Sequence, residues 1–188
     1  MGTRCRFVRE QRHVCGDNYM EIDLYPISER EKGASLSAKR RQASSRIQQN
    51  LNARNARRYF IQLLNANFTE SDIHWTGTYD DAHLPDSIEQ ADHDLELFLR
   101  RVRSQSRKRG LWREEGDGLP AVRVHHHVVL SCGLSRDELE RLWYRGKDKE
   151  RLGITNADRL QFDRESLERL ANYLIKYRNR KRRWRQSR

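Results

Sequence analysis

Val122-Arg-Val-His-His-His-Val-Val-Leu130 decides how the rest of the chain is read. Its valines favour the pleated, half-buried surface of a sheet, and neither Gly nor Pro interrupts it, so a strand over 122–131 is expected. Successive side chains of a strand point to opposite faces, which sets His125 and His127 on one face and His126 on the other. Two imidazoles on a common face can chelate one divalent ion when a neighbouring strand adds a third ligand. The same cluster also suits three half-buried rings holding nothing.

Just upstream, Leu111-Trp-Arg-Glu-Glu115 reads as a strand able to lie beside the first, with a loop at Gly116-Asp-Gly-Leu-Pro120 between them. It nominates Glu114 as the third ligand and Glu115 as the second choice. Two His and one carboxylate with open positions suit Mn²⁺ or Mg²⁺ acting on a phosphate oxygen.

Downstream, Ser135 and Glu138 have capping-box spacing and Leu134 with Leu139 has that of a hydrophobic staple, so a short helix to Trp143 is expected. A loop with Gly146 and Gly153 leads to a strand around 158–162. A last helix starts near Asp163 with Leu167, Leu170, Ala171 and Leu174 as its apolar stripe. Tyr173 and Tyr177 are four residues apart at the edge of that stripe, with Lys176 between them. Each phenol can rest its ring on the core and expose its oxygen, or simply pack there.

Toward the N-terminus, residues 69–98 carry nine acids and no Lys or Arg. Ile73-His-Trp-Thr-Gly-Thr-Tyr79 within them has strand composition and ends in an Asp-rich turn before Pro85. Ser87 with Gln90 begins a helix whose face is Ile88, Ala91, Leu95, Phe98, Leu99 and Val102, and whose basic end at 100–109 complements the helix dipole. Residues 32–58 hold eight Lys or Arg and no acid, a basic arm feeding a docked helix. Before it, 19–25 alternates like a strand and is expected to stop at Pro26.

Strand, helix, strand, strand, helix, strand, helix is the order of an α+β protein with an antiparallel sheet covered by helices, of the ferredoxin-like or RRM-like sort. Residues 1–68 form a basic extension with a short strand and a helix, and 69–188 the main domain with a basic tail, together expected as one compact unit. A net charge of +11 in 188 residues favours a polyanionic partner. No apolar run is long enough to span a bilayer and the N-terminus lacks a signal-peptide core, so an intracellular, soluble protein is expected. Cys5, Cys15 and Cys132 suit free thiols in a reducing compartment, and Cys5, His13 and Cys15 lack the CxxC pairing of a zinc site.

Trp75-Thr-Gly-Thr-Tyr-Asp-Asp81, Arg123-Val-His-His-His-Val-Val-Leu130 and Tyr173-Leu-Ile-Lys-Tyr177 occur in that order. This set resembles the three motifs of HUH endonucleases, and most nearly those of rolling-circle replication initiators of plasmids and single-stranded DNA phages, over roughly residues 70–181. One departure is His126, where the family usually carries a bulky hydrophobe.

The resemblance implies metal-dependent nicking and joining of single-stranded DNA at a replication origin. Tyr173 or Tyr177 would be the nucleophile, Lys176 would stabilise charge, and His125, His127 and Glu114 would hold the metal. Arg123, Arg178, Arg180, Lys181, Arg182, Arg183 and Trp184 suit phosphate contacts and base stacking. No phosphate-binding Gly-Lys-Ser/Thr loop is present, so a separate helicase and host replication proteins would be partners. A non-catalytic RRM-like nucleic-acid-binding module and an HUH transposase or relaxase are the other readings.

Overall fold

The computed structural model describes residues 7–27, 46–106, 111–117, 124–164, 166–175 and 184–186, with the side chains of 7, 27, 46 and 111–117 outside the description. The chain divides into two compact units, Met1–Ala66 and Asn67–Arg188. The sequence reading treats 1–68 and 69–188 as parts of one body.

In the first unit β1 (Phe7–Cys15) pairs antiparallel with β2 (Tyr19–Ile27) and α1 (Arg46–Asn67) follows. β1 escapes the sequence reading because Arg9, Glu10, Gln11 and Arg12 dilute its alternation. Pro26 lies inside β2, level with Val8, rather than ending it. In a two-stranded ribbon both strands are edges, where a missing N–H is tolerated. Glu21 accepts hydrogen bonds from Arg58 and, at 2.8 Å, Gln62 Nε2, and Arg58 also meets Asp23 at 2.6 Å. These contacts tie α1 to β2. Cys15 is buried, His13 meets Asp23 at 3.3 Å, and Cys5 lies outside the described residues.

The second unit is α+β. Its elements are β3 (Ile73–Thr78), α2 (Ile88–Gln105), β4 (Leu111–Asp117), β5 (His125–Ser131), α3 (Arg136–Glu140), the short β6 (Tyr144–Arg145) and β7 (Glu150–Arg151), β8 (Thr155–Arg159), α4 (Glu168–Leu174) and β9 (Arg185–Gln186). The main sheet is antiparallel in the order β8-β3-β5-β4-β9. β5, the histidine strand, lies between β3 and β4, and α2 carries the chain from β3 to β4.

One face of this sheet packs a core of Ile73, Trp75, Val128 and Leu130 against Leu95, Phe98, Leu99 and Val102 of α2 and against Leu139 and Trp143. Trp75 stacks on Phe98 at 3.9 Å between ring centroids, and Trp143 donates from Nε1 to Thr78 O at 3.0 Å. Gly77 is what lets Trp75 lie flat, since a Cβ there would sit 2.1 Å from the indole. Ser87 caps α2 by accepting from Gln90 N, and Ser135 and Glu138 close their capping box. Ile88 is exposed instead of joining the α2 face.

The fourth main strand begins three residues earlier than the pattern at 158–162 suggests, because the β6–β7 hairpin delivers the chain sooner. Gly153, at φ +151°, packs where a Cβ would be 2.4 Å from Thr78 O, so only glycine brings the chain back so close to β3. α3 ends at Glu140 rather than Trp143, and α4 starts at Glu168 rather than Asp163. Among the described residues no helix is long and apolar enough to cross a membrane.

Candidate active site

The two faces of β5 are chemically different. His126 is buried on the α2 side, with Nε2 at 3.2 Å from the Tyr79 hydroxyl. Tyr79 in turn lies 3.4 Å from Oδ2 of buried Asp94, which Arg145 clasps with two hydrogen bonds of 3.2 and 2.6 Å. Burial, with the Asp94 charge second, pushes the Tyr79 phenol up and keeps it protonated. His126 and Tyr79 therefore belong to a polar network under the sheet.

The opposite face gathers His125, His127, His74 and Thr76. The register sets Thr76 level with His127 and Thr78 level with His125. His127 Nδ1 lies 3.1 Å from His74 Nε2 and 3.1 Å from Thr76 Oγ1, and the rings of His125 and His127 are 4.9 Å apart between centroids. α4 supplies the next group: the Tyr173 ring stands edge-on to His127 at 5.5 Å. Leu167, Ala171 and Leu174 are buried while Tyr173 is 54% exposed, which leaves its ring available to a ligand. These groups come from two strands adjacent in the sheet and from a helix about 46 residues further along the chain.

His74 is a site residue that the sequence reading does not name. The signal was present, because His74 sits two residues before Thr76 and alternates onto its face, but only the β3–β5 register could bring it to His127.

Burial pulls the His127 pKa down to about 3, helped by its histidine neighbours, and lowers that of His74 against a small opposing pull from Asp158. Both rings are therefore neutral at pH 7, the state in which imidazole ligates metal. If Nδ1 of His127 carries its hydrogen and donates to His74 Nε2 or Thr76, the Nε2 lone pair is left for an ion. The side chains present thus fit a metal ligand held by second-layer partners.

Depressed histidine pKa values have a stability consequence of fixed sign. The unfolded chain takes up protons near 6.5 and the folded one only well below, so stability falls as pH drops through 6.5. Between pH 6.5 and 5, before the carboxylates titrate, His127 should cost about 2 kcal/mol. Urea unfolding at the two pH values measures it. His127→Gln should flatten the difference, and an equal acid loss in that variant would assign the effect elsewhere.

The two carboxylates that the sequence nominates as a third ligand differ in register. β4 pairs with β5 so that Glu114 is level with Val128, whereas Glu115 is level with His127 and Asp117 with His125. Positions in register share a face, so the backbone favours Glu115 and not Glu114. The sequence reading puts Glu114 first and Glu115 second, and a one-residue slip in register exchanges the two. Among the described residues no three His, Cys, Asp or Glu side chains are grouped to hold a metal, and the β4 side chains lie outside that set.

Beside the histidines opens a cleft of about 600 Å³ lined by His74, Arg159, Phe162, Asp163, Arg169 and Tyr173 among others. It joins the Tyr173 ring to two guanidinium-bearing positions and an aromatic one. Lys176, Tyr177, Arg123, Arg178, Arg180, Lys181, Arg182 and Arg183 lie outside the described residues. Trp184 is half-buried, and its neighbour Arg185 meets Asp92 of α2 at 2.5 Å, which pins β9 beside β4. From the basic end of α2, Arg101 donates to Leu142 O and Tyr144 O at 3.1 and 2.8 Å and lies over the Tyr144 ring, so this member of the basic cluster serves the packing of the domain. No family model, curated protein or solved structure matches the chain.

Proposed function

We propose that this protein nicks and rejoins single-stranded DNA with a tyrosine nucleophile and a divalent metal, as an initiator of rolling-circle replication. The observation that carries this reading is the meeting of His127 with Tyr173, 5.5 Å apart between ring centroids on the face shared with His125. A helix-borne phenol beside a pair of imidazoles is the combination phosphodiester transfer to tyrosine needs. The strand order, taken as fourth-first-third-second over β8, β3, β5 and β4, is that of a ferredoxin-like sheet and supports an HUH-type core.

His125 and His127 would hold the ion, Mn²⁺ or Mg²⁺, with Glu115 the register-matched carboxylate. When bound, such an ion polarises a phosphate oxygen. His74 and Thr76 act through His127, fixing its tautomer and ring plane. The phenolic oxygen of Tyr173 or Tyr177 attacks the scissile phosphorus and gives up its proton. The bond to the 3′-oxygen breaks, that oxygen takes a proton, and a 5′-phosphotyrosine link remains. A free phenol has a pKa near 10, so charge stabilisation by Lys176 would serve this step. The cleft that opens from Tyr173 past Phe162, Arg159 and Arg169 offers the adjoining nucleotides an aromatic surface and cations.

The test is direct. Incubated with Mn²⁺ and single-stranded DNA carrying the origin of its own replicon, the full chain should yield a shortened strand and a protein–DNA adduct that survives denaturation. Binding with no adduct on any origin strand would instead support a non-catalytic module.

A further inference from the structure

α1 holds a surface that the nicking reading leaves unused. Its 22 residues contain four arginines and no acid, and the chain has no Asp or Glu from 32 to 69. One face of the helix is a continuous ladder at i, i+3, i+4 and i+7 spacing, and its chemistry changes along its length. Toward the C-terminus the ladder is Phe60, Ile61 and Leu64, all buried. Toward the N-terminus the same ladder runs through Arg57, Arg54, Ala53 and Asn50, all exposed. Around it residues 47–55 are exposed on every side, and Gln48, Gln49, Asn52 and Asn55 supply further amides.

We propose that the N-terminal half of α1 lies in the major groove of double-stranded DNA, with Asn50, Ala53, Arg54 and Arg57 facing the duplex. An α-helix is about 10–12 Å across with its side chains and the major groove about 12 Å wide. Arg reads guanine and Asn reads adenine by paired hydrogen bonds, while phosphates reward cations on a helix without acids. Ala53, at the centre of the ladder, allows close approach. Arg58 is not part of the surface, since it holds Glu21 and Asp23. The surface lies in the first compact unit, so this duplex contact stands independently of the nicking chemistry of the second.

The experiment uses the full chain and fluorescein-labelled 30-base-pair duplex and 30-base single strand of the same sequence, by anisotropy at several salt concentrations. Arg54→Glu with Arg57→Glu should weaken duplex binding at least tenfold near 0.1 M salt and lower the salt slope by about two. Ala53→Trp, which changes no charge, should weaken duplex binding at least tenfold while single-strand binding holds. Arg54→Lys with Arg57→Lys should keep the salt slope. Unchanged duplex affinity in folded double-reversal protein would overturn the proposal. So would equal losses for duplex and single strand, or a loss that sedimentation traces to a broken dimer through Ile47 and Leu51.

Discussion

Replacing Tyr173 and Tyr177 together by Phe should abolish the covalent protein–DNA adduct, whereas each single replacement should leave part of it. Phe keeps the aromatic ring at each position and removes only the oxygen that would bond to phosphorus. Tyr173 is more than half exposed and its ring touches the His127 ring edge-on, so removing its hydroxyl empties no part of the core. The adduct should fall by at least 10³-fold in the double variant, the scale expected when a nucleophile that cannot be bypassed is lost. Denaturing gels of Mn²⁺-treated protein with labelled origin strand give the readout. Full adduct in the double variant would remove both tyrosines from the mechanism and leave the packing role of Tyr173 as its whole account.

The second large effect concerns the histidines, and it separates the two faces of one strand. His125→Ala with His127→Ala should abolish metal-dependent nicking while salt-sensitive binding of single-stranded DNA persists, because phosphate contacts come from other residues. His126→Leu is the contrast. It breaks the contact with Tyr79 and should lower thermal stability by about 1–3 kcal/mol, since the Tyr79 hydroxyl loses a polar neighbour in a buried site. The Mn²⁺ concentration for half-maximal nicking should nevertheless stay near that of the parent protein. An equal shift in metal dependence for His126→Leu would mean that strand alternation does not divide the roles. Unchanged nicking in the outer double variant would overturn the metal assignment.

Much of the main domain was legible residue by residue. The α2 cap at Ser87, its stripe from Ala91 to Val102, the capping box of α3 and the strands at β3 and β5 follow from short-range rules, because caps and alternation act within a few residues. Elements whose partners are distant were harder. β1 has mixed polarity on both sides and is a strand only because β2 pairs with it along its length. The β6–β7 hairpin is two residues a side, too short for any periodicity. Glycines gave partial help: Gly153 was visible as a loop residue, but its close approach to Thr78 was not.

Sequence alone determined that His125 and His127 share a face and that His126 does not, since alternation is a property of any strand. It also fixed a net charge of +11, from which a polyanionic partner is an expectation. Which groups meet those histidines was a matter for tertiary structure. The β3–β5 register brought His74 and Thr76 to His127, the β4–β5 register set the backbone of Glu115, not Glu114, level with His127, and the docking of α4 set Tyr173 against the imidazole. Register and docking depend on pairings between residues tens of positions apart, and a shift of one residue reverses every face. That is why the motif residues could be named from the chain, while their neighbours had to come from the fold.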